Sequence, residues 1–141
     1  YNHNVNQFAF GTNTQARLTI DSSGNVNVSS GSVSDSKGDL RKIPINAQTS
    51  AYTLVLADAG KCITQTHSDG VNCPYNKFSA GDAITIINHS GSDISIVQGS
   101  SNTMYFTADG STGNRTLAAR GMATVFYQAH NLCYISGSGL S

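Results

Sequence analysis

The sequence predicts an all-β fold: an antiparallel β-sandwich or jelly-roll-like domain with an extended N-terminal arm. Three observations carry this. The apolar residues come in short runs, chiefly Ala83 to Ile87, Ile94 to Val97, Thr103 to Phe106, Met122 to Tyr127 and Leu132 to Ile135. These runs are too short for helices, rich in β-branched and aromatic residues, and bounded by Gly, Asn, Asp and Ser. All eight acidic residues are Asp, and a chain with helical faces would use Glu, the better helix former. Charged residues are only 11% of the chain, so a surface of Ser, Thr, Asn, Gln and Gly must cover the core.

The elements follow in order. Residues 1–16 are polar apart from Phe8 and Phe10, which share one face of an extended segment because alternate residues of a strand point the same way. Arg17 to Ile20, the turn Asp21 to Asn25, and Val26 to Val28 read as strand, tight turn, strand, with Gly24-Asn25 supplying the turn. A lone hairpin is marginal in water, so Phe8, Phe10, Leu18 and Ile20 need a partner surface. Residues 29–39 are Ser/Gly-rich and nearly devoid of apolar groups, a linker. The arm is therefore 1–39 and the globular unit 40–141.

Within that unit, Leu40 to Ile45 begins the fold, with Pro44 suiting an edge. Ala51 to Leu56 and Lys61 to Thr64 read as strands on either side of the turn Ala57 to Gly60. The segment between Cys62 and Cys73 reads as a polar loop. The link Asn88 to Asp93 has hairpin chemistry, since Asn, Gly and Asp tolerate positive φ. About eight strands result, the number and spacing of a sandwich or barrel.

Length and charge bound the function. The 141 residues make one domain plus an arm. Eight basic against eight acidic residues leave no net charge, which removes the usual electrostatic case for nucleic acid. No apolar run approaches the roughly 20 residues of a spanning helix, so no membrane insertion is expected. The chain opens on Tyr1 rather than Met, which reads as a fragment or a processed product.

Candidate chemistry is thin. Cys62, His67 and Cys73 give C-x4-H-x5-C, with His89 or His130 as a fourth ligand, but structural zinc sites show tighter pairing, so no metal is expected. Cys62 and Cys73 could form a disulfide if the loop ends meet; three free cysteines is the plainer reading. The Asp residues, Asp21, Asp58, Asp69, Asp82, Asp93 and Asp109, sit beside Gly, Ser or Ala in expected turns, where the carboxylate bonds local backbone. Nothing pairs two carboxylates as glycoside hydrolysis requires. There is no GxSxG elbow and no phosphate-cradling Gly loop. No catalytic residue and no cofactor are expected. Among the tyrosines, which include Tyr1 and Tyr134, the candidates for stacking on a glycan are Tyr75, Tyr105 and Tyr127.

The segment Arg17-Leu-Thr-Ile-Asp-Ser-Ser-Gly-Asn-Val26 resembles the RL-x-I-DSSGNV segment of tailed-phage fibre proteins, with Asn27-Val-Ser where those continue GIGT. The stretches Asp39-Leu-Arg-Lys-Ile-Pro44, Gln48-Thr-Ser-Ala-Tyr-Thr-Leu-Val55, Phe78-Ser-Ala-Gly-Asp82, Gly113-Asn-Arg-Thr-Leu-Ala118, Arg120-Gly121 and Ile135-Ser-Gly-Ser-Gly-Leu140 are similar to a C-terminal module of structural proteins of marine phages, notably those of cyanobacteria. The resemblance implies a non-enzymatic, β-structured, homotrimeric virion protein on the outside of the particle. Its partners would be other virion proteins, with host-surface glycan as a further contact. The expectation is a fibre or appendage domain; a capsid decoration or head-fibre protein, and a secreted carbohydrate-binding or adhesin module, are the alternatives.

Overall fold

A computed structural model describes residues 8–29, 31–36, 38–40 and 42–141. Tyr1 and the first stretch of the arm, 1–7, lie outside these described residues, as do Lys37 of the expected linker and Arg41 of the resembling stretches. The chain is all-β, and it divides into two compact units, Tyr1–Lys42 and Ile43–Ser141.

In the first unit β1 (Phe8–Thr12), β2 (Gln15–Ile20) and β3 (Val26–Val28) form an antiparallel meander. Residues 1–16 are thus not one extended segment. Asn13 and Thr14 take φ of 52° and 61°, the two positive φ values of a type I′ hairpin turn, and the chain doubles back there. The β2–β3 turn is built on Asp21. Its carboxylate accepts from the amides of Ser23 and Asn25 at 2.9 Å and from Asn25 Nδ2 at 2.9 Å. These bonds, the Asn25 side chain foremost, hold its pKa below the usual value. A two-stranded ladder, β4 (Ser34–Asp35) with β5 (Gly38–Asp39), completes the unit.

The second unit holds β6 (Ile45–Gln48), β7 (Tyr52–Thr53), β8 (Cys62–Gln65), β9 (Val71–Cys73), β10 (Ala83–Asn88), β11 (Ile94–Gln98), β12 (Thr103–Phe106), β13 (Arg115–Ala129) and β14 (Leu132–Leu140), with a 3₁₀ turn at Leu56–Asp58. The pairing is mixed, where the sequence led us to expect an antiparallel sandwich. β6, β8 and β10 run parallel to one another, and so do β7, β9 and β11. Each pair β6/β7, β8/β9 and β10/β11 is one rung bent around a corner. β13 closes both stacks: residues 122–126 pair with β10 and residues 115–117 with β11, both antiparallel. β14 lies along the other edge of β13, and β12 adds to it in parallel.

This explains why Asn88 to Asp93 is not a hairpin. β10 and β11 pair with β13 and not with each other, so the link is a corner from one layer to the other. Asn88 clamps it. The side chain is fully buried, and Nδ2 donates to the carbonyls of Ser92, Leu117 and Ala118 at 2.8 to 3.0 Å. Gln65, its neighbour in register, is equally buried and donates to Ser50 O at the previous corner. The strand expected at Lys61 to Thr64 is β8, and the polar segment that follows it, expected as a loop, supplies this corner and then β9.

Replacing Asn88 by alanine removes the bonds its Nδ2 gives to the Ser92, Leu117 and Ala118 carbonyls, leaves Ser90 without its Oδ1 acceptor and opens a polar void. We expect a loss of about 2–3 kcal/mol, since a buried polar group left unpaired costs about 1–3 kcal/mol. Urea unfolding followed by circular dichroism measures it; a loss below about 0.5 kcal/mol, the usual range for a featureless surface substitution, would show that the corner does not depend on the amide.

The core lies between the two layers. Ile63, Ile84 and Ile86 face Val71, Ile94 and Ile96 across it, with Leu54, Phe78, Met104, Leu117, Val125, Tyr127, Cys133 and Ile135 filling the rest. Asp58 departs from the exposed-turn expectation. It is buried, and its carboxylate accepts from Asn46 Nδ2, the Tyr52 hydroxyl and the Val55 amide, each at 2.8 Å. Here a carboxylate ties β6, β7 and the 3₁₀ turn together.

Candidate functional site: two uncharged sheet faces

The register of the first unit gathers its apolar residues on one side. Phe8, Ile20 and Val26 stand in one cross-strand row, and Phe10, Leu18 and Val28 in the next. Phe8 and Phe10 meet edge to face at 4.9 Å. Phe10 is 56% exposed and Val26 66%, so the described residues of the unit leave the face open. Phe8, Phe10, Leu18 and Ile20 are brought together as expected. Val26 and Val28 belong to the same face; strict alternation in Val26-Asn27-Val28, read with the register of the turn, was the signal for them.

The second unit carries a larger face on the outside of the layer that contains β6, β8, β10, β14, β12 and the last part of β13. Ala83, Phe126, Tyr134 and Tyr105 make one row across it. Ile45, Cys62, Thr85, Thr124 and Ser136 make the second, and Ala47, Thr64, Ile87, Met122 and Ser138 the third. No position in these rows carries a charge. Met122, Phe126 and Tyr134 are exposed, and the Tyr105 and Tyr134 rings stack at 5.6 Å. On the outside of the other layer Thr53, Asn72, Ser95 and Thr116 point outward, most of them exposed polar groups, with Val97 beside Asn72. Asp69 and Arg120 carry charge near the corners. His67 pairs with Asp69 at 3.2 Å, and Arg120 donates to the His89 carbonyl at 2.6 Å.

The tyrosines separate. Tyr75 is exposed, edge-on to His130 at 5.7 Å. Tyr105 is half-buried within the first row of the large face. Tyr127, expected from the sequence as a glycan contact, is instead fully buried against Phe78, with ring centroids 4.5 Å apart, and cannot touch a glycan. It occupies an inward position of β13, one residue out of phase with Phe126, so the alternation alone placed it in the core.

The cysteines are also placed apart. All three are free thiols, so Cys62 and Cys73 do not form the disulfide the sequence allowed. Cys62 lies in an outward row of β8, though it too is buried, whereas Cys73 points into the core beside Tyr127 and Cys133. His67 is at an exposed corner, so C-x4-H-x5-C does not converge. Among the described residues no three His, Cys, Asp or Glu side chains gather as metal ligands would. Of the other Asp side chains, Asp82 and Asp109 cap their own turns, on Ser79 and Ser111. Asp93 accepts from the Ala119 amide. These carboxylates hold backbone in place.

No protein-family model matches the chain, and no curated protein matches it. No helix among the described residues is long and apolar enough to cross a membrane.

Proposed function

We propose that the chain is a non-enzymatic structural protein of a phage virion: a fibre or appendage β-domain on the outside of the particle that assembles as a homotrimer. The observation that carries the assembly is the open apolar face of β1–β3. A three-stranded meander with six apolar side chains on one side is not stable in water with that side wet. Covering a Phe or Val side chain contributes about 1.5–3 kcal/mol when the burial is complete. These are partly covered already, so the face would contribute on the order of 5 kcal/mol per chain. Copies around a threefold axis supply the cover symmetrically. The resemblance of Arg17 to Val26 to phage fibre segments supports the virion setting. A glycan-contacting role rests on Tyr75, which is exposed beside His130.

Native mass spectrometry of the intact chain tests this. The expected mass is that of three chains, and Phe10→Asp, which places a charge on the face, should shift the population to monomer. A monomeric parent chain at micromolar concentration would reject the assembly. Imaging of the particle separates a fibre, found at the tail, from a shell decoration at capsid symmetry positions.

A further inference from the structure

We propose that one end of the second unit, where the turns at 75–77, 100–101 and 130–131 meet, is a binding site for an acidic sugar, a carboxylate-bearing unit of a surface polysaccharide. The inference rests on the glycan contact proposed for Tyr75 and names the class of sugar that the contact would take.

Hydrogen bonds bring the three turns together. β9 and β11 run parallel and end side by side, Cys73 opposite Gln98. Gly99 N and Asn102 Nδ2 both donate to the Cys73 carbonyl at 3.0 Å, and Asn102 is buried. Asn76 N donates to His130 O at 2.9 Å, and Thr103 N to Asn131 O at 2.8 Å. Gly99 permits the close approach, since a Cβ there would lie 2.6 Å from the Cys73 carbonyl oxygen. The backbone under the exposed side chains is therefore fixed before a ligand arrives, and a fixed site loses less freedom on binding.

The exposed side chains supply what an acidic sugar requires. Tyr75 and His130 stand edge to face with centroids 5.7 Å apart, an aromatic pair open to solvent against which the C–H side of a sugar ring can lie. Asn76 and Asn131, each next to one of these rings in the chain, are exposed, and an amide both donates to and accepts from hydroxyls. Lys77 is exposed and has no ion-pair partner among the described residues. Its ammonium can meet a carboxylate in a charge-assisted hydrogen bond, the stronger kind. Charge favours an acidic over a neutral sugar. None of residues 74–78, 99–103 and 129–132 is acidic. The carboxylate nearest to Lys77 along the chain, Asp82, accepts from the Ser79 amide at 2.9 Å. Asp69 and Asp93 lie just before β9 and β11 begin, at the opposite ends of those strands. A neutral sugar would leave the one lysine of the turns unused.

Nuclear magnetic resonance titration of the intact chain tests the proposal, with trigalacturonate as the acidic probe and its methyl ester as the same sugar without the charge. The amides of residues 75–77, 100–102 and 130–131 should shift and saturate with the acid. Tyr75→Ala should weaken acid and ester alike by about 5-fold, the size of an aromatic contact. Lys77→Gln should weaken the acid by about 5-fold, the upper end for an exposed charge pair, and leave the ester unchanged. Esterification and Lys77→Gln together should cost no more than either alone, as when both remove one interaction. Lys42→Gln removes the same charge from the first unit and should change neither sugar. Acid and ester bound equally, with Lys77→Gln without effect, would overturn the acidic class and leave Tyr75 as a neutral-glycan contact. Inorganic sulfate saturating the same amides as tightly as trigalacturonate would show a simple anion site and overturn the sugar. No saturable shift at these turns with either sugar would overturn both this inference and the glycan role of Tyr75, and leave the assembly, which is read by mass, as it stands.

Discussion

Gly137→Val is expected to unfold the second unit or to cost more than about 4 kcal/mol, in the exceptional range for a single substitution. The position is solvent-exposed, which would ordinarily predict tolerance. Its missing side chain points the other way. A Cβ there would lie 2.2 Å from the Met122 carbonyl oxygen and 2.5 Å from Ala123 Cα, both backbone atoms of β13 that cannot swing aside. β13 and β14 cross closely at this point because β13 bends between its two pairings, at Arg120, whose φ is 65°. Gly139 follows with φ of 77°, where the β13–β14 register slips between Leu117 and Met122. Thermal unfolding measures the effect. In a unit of about 100 residues, 4 kcal/mol lowers the midpoint by some 16–32 °C. A shift of under about 5 °C would mean that the strands separate easily here. Gly137→Ala should show the same sign, since the clash begins at Cβ.

This glycine shows what was legible in the sequence and what was not. Ile135-Ser-Gly-Ser-Gly-Leu140 was visible as a resemblance, but the reason for Gly137 lies in β13, at Met122 and Ala123. The runs from Ala83 to Ile135 announced themselves by alternation, because half of each faces a core. The β1–β2 turn was missed because Asn13-Thr14 lacks the Gly that usually marks a type I′ turn. β9 was missed because Val71-Asn72-Cys73 is three residues long and follows a polar corner. The parallel stacking could not be read from alternation at all. A parallel and an antiparallel strand with one wet side share the same period; what separates them here is Asn88, and a buried Asn closing a corner looks in sequence like any turn residue. For the candidate faces the sequence held half the information. It gave which residues alternate, and so Phe8, Phe10, Leu18 and Ile20, but not which strands lie side by side. Tyr105, Phe126 and Tyr134 become neighbours only through the register of β12, β13 and β14.

Alkaline pH should destabilise the second unit steeply. Cys73, Cys133 and Tyr127 meet in the core, where water cannot solvate a thiolate or phenolate. Burial pushes the Cys133 thiol from its ordinary 9.0 up to about 11. It raises the Cys73 thiol further, with Cys133 adding to the effect, and raises the Tyr127 hydroxyl, with the two thiols adding to it. Burial, reinforced by the hydrogen bond to Asp58, raises Tyr52 as well. The sign is the same for all. Above pH 9.0 the unfolded chain releases thiol protons that the folded chain keeps, so the folded state binds more protons and stability falls as pH rises. The contribution is fully present below the unfolded value and, for Cys133, is lost through the window from 9.0 to about 11. Within that window each thiol held protonated costs about 1.4 kcal/mol per pH unit. Cys73 and Cys133 together should therefore remove about 5 kcal/mol by the top of it, comparable to the whole stability of many small domains. Urea unfolding at several pH values across the window gives the slope. Cys133→Ala should flatten that slope by about 1.4 kcal/mol per pH unit, even though the void it leaves lowers stability at neutral pH. A slope unchanged by the substitution would mean that Cys133 meets solvent before the unit unfolds.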